Sequence, residues 1–173
     1  MMMKFSRKLL GAVTLFAMFS SFEANAQTAD LDVAAIVPAA CIITSPDPLV
    51  MDFLTVDPVN GSGGGADYVL DRNFQYECSV GTAGTVDLNL GVGVGASLTE
   101  RFMTGAGTNR LGYRLEKVGG ADFGTGAVLG DGFSGSGFGT TLTTVIRGRL
   151  TVAQIQLAEA DTYADTVTIT LTL

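Results

Sequence analysis

Apolar residues fall on every second position at both ends of this 173-residue chain. Near its start Leu31, Val33, Ala35 and Val37 form one set, with Asp30 and Asp32 opening the other face; at its end Val167, Ile169, Leu171 and Leu173 alternate with Thr166, Thr168, Thr170 and Thr172. A period of two puts each set on one face of an extended strand, whereas a helix would scatter it around the axis. The same alternation recurs at Val86, Leu88 and Leu90 and at Tyr113 and Leu115. Between these segments lie turn-forming clusters, Asp57 to Gly65, Val80 to Gly84 and Gly130 to Gly137. Short strands separated at such intervals predict an all-β sandwich rather than βαβ units. Helical signals are nearly absent, and Thr151 to Ala160 is read as a helical turn.

The first residues carry Lys4, Arg7 and Lys8, then an apolar run from Leu9 to Phe19, then Ala24-Asn25-Ala26, which has the form of a leader cleavage site. Residues 1–26 are therefore expected to be removed, residues 27–40 to form a strand segment, and residues 41–173 to form one sandwich domain. No later stretch approaches the roughly 20 apolar residues that a membrane span needs, so the mature chain is read as soluble and exported. The formal net charge of −7 becomes more negative after cleavage, because three basic residues leave with only Glu23 of the acidic ones. With the remaining Lys and Arg scattered, nucleic acid is not an expected partner.

In an oxidising compartment Cys41 and Cys78 are expected to form one structural disulfide. Closing a loop of that length would stabilise the fold by about 4 kcal/mol on the chain-entropy account. The chain contains no His, which removes the commonest general base, the Ser-His and Cys-His nucleophile pairs and nearly all zinc constellations. Most Asp residues sit in turns, where they cap their own backbone. No catalytic residue, metal site or cofactor is expected.

Two motifs invite stronger readings that their context does not support. Ser62-Gly-Gly-Gly-Ala-Asp67 resembles a single unit of a calcium-binding repeat whose sites arise only from stacking, so it reads as a hairpin loop. Gly124 to Gly130 lacks the Gly-Lys-Ser/Thr ending of a phosphate loop and also reads as a turn. Phe123, Phe133 and Phe138 could line an exposed adhesive surface, but aromatics of this kind more often pack beneath a long loop.

The alternation is still running at Leu173, and a regular strand edge left uncovered is an aggregation hazard unless something occupies it. Both terminal strands thus need neighbours. They could pair with each other inside one domain, since chain termini often lie close together, or each could pair with another copy.

Several further pieces carry a resemblance to the spore coat protein U domain, a family that includes the major subunits of archaic (Csu-type) chaperone-usher pili. They are Phe74-x-Tyr76-x-Cys78, Arg101-Phe-Met103, Leu111-Gly-Tyr-Arg-Leu115, Val145-Ile-Arg-Gly148-Arg and Thr162-Tyr-Ala-Asp-Thr-Val167. The chain departs from the family pattern in having Phe123-Gly124 where Trp-Gly is frequent, in Ala160-Asp161 where a Gly usually stands, and in ending on Leu173 rather than an aromatic.

The resemblance implies an immunoglobulin-like sandwich lacking its last strand, with a hydrophobic groove beside the terminal strand. It further implies that a periplasmic chaperone fills the groove first. At an outer-membrane usher the N-terminal strand of another copy, or of a related pilin subunit, then replaces it. On that expectation Leu31, Val33, Ala35 and Val37 are donor-strand residues, Val167, Ile169, Leu171 and Leu173 belong to the receiving groove, and the product is a surface pilus or spore-coat-like fibre. A monomeric secreted sandwich and a tip adhesin are the competing expectations. A register slip of one residue would present Ala34 and Ile36 instead.

Overall fold

A computed structural model describes residues 27–97 and 99–173. The expected leader, residues 1–26, lies outside the described residues. The chain divides into two units, residues 1–36 and residues 37–173. In the first, residues 27–36 adopt no regular secondary structure.

The second unit is an all-β sandwich. Its larger sheet is antiparallel, in the order β1 (Cys41–Ile43), β2 (Tyr68–Cys78), β7 (Leu142–Leu150), β5 (Arg110–Glu116) and β4 (Arg101–Thr104). The smaller sheet holds β6 (Asp131–Ser134), β3 (Ala83–Leu88) and β8 (Ile169–Thr172), again antiparallel. Two short helices, α1 (Gly126–Leu129) and α2 (Val152–Leu157), sit in connections. The second lies within the stretch read as a helical turn, and Thr151 and Gln154 begin it with a reciprocal capping box.

Alternation decides which side chains meet between the sheets. Phe74, Tyr76 and Cys78 of β2, Leu111, Tyr113 and Leu115 of β5, and Ile146 and Leu150 of β7 are buried against Val86 and Leu88 of β3. Tyr76 reaches the ring of Phe133 in an edge-on contact at 5.0 Å between centroids. Gly148 has a packing reason, because Met51 and Phe53 fill the space its Cβ would need.

The outer face of the larger sheet is held by charges. Arg147 stands opposite Asp71 in the β2–β7 register and pairs with it at 2.8 Å. Arg149 grips the buried Glu116 carboxylate at 3.1 Å, while Arg114 takes Asp122 at 2.6 Å. The disulfide links Cys41 to Cys78, which face each other in the β1–β2 register. Immediately before it the backbone of Ala40 exchanges hydrogen bonds with Ser79, through the Ser79 hydroxyl at 3.1 Å and the Ser79 amide at 2.9 Å.

Three sequence motifs are accounted for as structure. The loop from Gly61 to Ala66 turns through four glycines with positive φ, Gly61, Gly63, Gly64 and Gly65. Gly124 to Gly130 contains α1. Phe123 is wholly buried, Phe133 is half-buried and Phe138 is 54% exposed, so one of the three aromatics is left at the surface.

Candidate functional site

The C-terminal segment shows where the sandwich is unfinished. From residue 163 to 172 side chains alternate, with Tyr163, Asp165, Val167, Ile169 and Leu171 half-buried and the intervening residues exposed. The inward rows of β5 (Leu111, Tyr113, Leu115) and of the later half of β2 (Phe74, Tyr76, Cys78) are fully buried. Here the row is only half covered, and β8 pairs with β3 alone among the described strands.

A second extended segment runs alongside. Leu49, Met51 and Phe53 alternate with the exposed Val50, Asp52 and Leu54, but this stretch joins no ladder. It ends where Leu54 adopts a left-handed backbone conformation (φ 58°), with its amide donating to the Asp52 carboxylate at 2.8 Å.

Between these two segments lies a cavity of about 340 Å³, walled by Leu49–Phe53 on one side and by Tyr163, Val167 and Ile169 on the other. Its floor is the core itself, with contributions from Leu88, Met103, Tyr113, Leu115 and Ile146. A second cavity of about 530 Å³ continues from it between residues 51–58 and 158–163, over Leu111, Leu150 and Ile155. The two share Met51, Asp52, Phe53, Met103 and Tyr163, so they adjoin, and together they are called the groove below.

A hydrogen-bonded polar pair, Tyr113 and Asp165, lies in this lining, which also includes Arg72. The Tyr113 hydroxyl donates to Asp165 at 2.5 Å, and the other Asp165 oxygen accepts the amides of Val92 and Thr166, each at 2.8 Å. Burial, reinforced by this hydrogen bond, pushes the Tyr113 pKa well above the ordinary phenol range. Opposite Tyr113 in the β4–β5 register is Arg101, fully buried. Its guanidinium donates to the carbonyls of Asn89 at 2.9 Å and Phe123 at 2.8 Å, tying β4 to the connections on either side. Burial lowers the Arg101 pKa, while Tyr113 and Asp165 oppose that shift. Through these bonds Arg101 and Asp165 tie β4, β5 and the C-terminal segment to the intervening connections. Among the described residues no group of three or more His, Cys, Asp or Glu is placed to hold a metal ion.

Of the residues expected in the receiving groove, Val167 and Ile169 line it, and Leu171 faces the core one step further along β8. Leu173 lies past the end of β8 and is 57% exposed. The expected donor residues Leu31, Val33, Ala35 and Val37 stand in a stretch with no strand ladder; all are exposed, as is Ile36 on the alternate face. The sequence reading missed Leu49, Met51 and Phe53, three alternating residues directly after Pro48. It also missed the buried role of Arg101, although the Arg101-Phe-Met103 motif marks the position.

No curated protein matches this chain. Among solved structures it is similar to the crystal structure of the CsuC-CsuE chaperone-tip adhesion subunit pre-assembly complex from archaic chaperone-usher Csu pili of Acinetobacter baumannii, with 22% identity and a TM-score of 0.49. That match covers 79% of this chain and 40% of the other. The family model for the Spore Coat Protein U domain matches residues 27–170, which takes in β1 through β7, the first two residues of β8 and the residues on both walls of the groove. With a match of that extent, the chain belongs to the Spore Coat Protein U domain family.

Proposed function

We propose that this chain is an exported structural subunit of a pilus or coat-like fibre that polymerises by strand addition. Residues 28–38 of one copy enter the groove of another. The continuous apolar groove between residues 49–53 and 163–169 carries the reading, since both walls are extended and the core shows through between them. A strand placed there would gain main-chain hydrogen bonds and set alternate side chains into the floor. Burying Leu31, Val33 and Val37 would contribute about 4 to 9 kcal/mol before ordering costs.

The ends of the domain suggest a direction. Cys41, Cys78 and the last residues of β8 lie at one end, while Tyr163 and the second cavity lie toward the other. In a head-to-tail fibre the incoming segment would enter beside Tyr163 and run antiparallel to residues 163–172. Before assembly the open groove is an aggregation hazard, and on this reading a periplasmic chaperone covers it until an outer-membrane usher exchanges the cover for the next subunit.

The test is to delete residues 28–38 and compare secretion products with those of the intact chain on unboiled denaturing gels. The intact chain is expected to give a ladder that collapses on heating, and the deleted chain is expected to give none. Long heat-sensitive polymers from the deleted chain would overturn the proposal. A stable monomer from the intact chain would favour closure of each domain by its own N-terminal segment.

A further inference from the structure

The six methionines of the chain are Met1, Met2, Met3, Met18, Met51 and Met103. Residues 27–173 therefore hold two thioethers, and both line each of the two cavities that make up the groove. Both residues are half-buried, packed against the core on one side and facing the cavity on the other. The Met51 sulfur sits over Gly148 in the space a Cβ would occupy. The chain has no His and no Trp, and among the described residues there is no free cysteine. A two-electron oxidant reaching residues 27–173 thus meets its softest targets at this one place.

We propose that Met51 and Met103 form a paired oxidation site at which peroxide closes the groove to an incoming strand. This rests on the strand-addition reading above. With peroxide, the sulfur lone pair attacks one peroxide oxygen and the O–O bond breaks. The thioether is oxidised by two electrons to the sulfoxide, and the remaining oxygen leaves as water after taking up a proton. The sulfoxide oxygen is a strong acceptor that water satisfies while the groove is open. A strand laid over it would strip that water away, so oxidation works against strand uptake. The relation also runs in reverse: once a strand covers the groove, the sulfurs are shielded. An oxidant would then distinguish unassembled subunits from assembled ones, and enzymatic reduction of the sulfoxide would return a subunit to the competent pool.

The experiment treats the exported chain with hydrogen peroxide, free and after binding a synthetic peptide of residues 28–38, and follows Met51 and Met103 by mass spectrometry. Each sulfur is expected to gain one oxygen in the free chain and to react at least about tenfold more slowly beneath the peptide. Peptide affinity of the oxidised chain is expected to fall by about tenfold or more. Methionine sulfoxide reductase should restore it, and a Met51→Leu/Met103→Leu chain should bind equally well before and after peroxide. Unchanged affinity after oxidation of both sulfurs would overturn the proposal and leave strand addition standing. So would equal oxidation rates with and without bound peptide, or a peroxide effect that persists in the leucine chain. A peptide that fails to bind even the unoxidised chain would remove the strand-addition reading and this proposal with it.

Discussion

Asp161 shows how much a single exposed carboxylate can organise. It accepts the Ala106 amide at 2.5 Å, the Asn109 side-chain amide at 3.2 Å and the Thr162 amide at 2.8 Å, so it holds the β4–β5 turn against the segment leading to Tyr163. The backbone donors keep its pKa below the usual value of 3.8. Because the folded pKa is depressed, the contribution is complete above the unfolded value and is lost as pH falls through the folded one. Stability should therefore drop below about pH 4. Asp57 and Asp71, held low by Asn60 and Arg147 respectively, add to the same decline. Asp161→Asn should make the acid branch of a thermal-midpoint-against-pH curve shallower and leave the other two contributions in place. Arg101 sits at the opposite extreme, since its guanidinium works only because three dimensions bring the Asn89 and Phe123 carbonyls to it.

Among the elements, β8 and the segment Leu49–Phe53 decide what the sandwich can receive. Val167 lies in the wall of the groove just before β8 begins, and its side chain is half-buried. Val167→Asp should leave the domain folded, because the carboxylate can turn toward water while the groove is open. It should lower uptake of a residue 28–38 peptide by at least about tenfold, because a covering strand would bury an unpaired charge. Peptide titration against unchanged near-ultraviolet circular dichroism checks both halves. Sequence reading carries the long period-two alternation of Val167, Ile169 and Leu171, whose side chains are all half-buried. It passed over Leu49, Met51 and Phe53 because a run that short, next to Pro48, does not read as a strand. Leu173 was expected in the groove, yet it lies past Thr172, the last residue of β8.

At the scale of the whole molecule, the disulfide fixes the edge strand from which the N-terminal segment departs. It joins residues 37 positions apart, across register partners of β1 and β2. Replacing the pair by Cys41→Ser and Cys78→Ala should destabilise the domain by about 4 kcal/mol, seen as a lower denaturant midpoint. The sequence by itself determined the all-β class, the disulfide and the inward alternation of Val86 and Leu88 in β3 and of Tyr113 and Leu115 in β5, because period-two patterning and compartment chemistry are local properties of the chain. Only the tertiary structure decided that residues 49–53 and 163–169 face each other across an open floor. A groove is made of surfaces brought together from distant positions, and no local pattern records which of them remain uncovered once the core has formed.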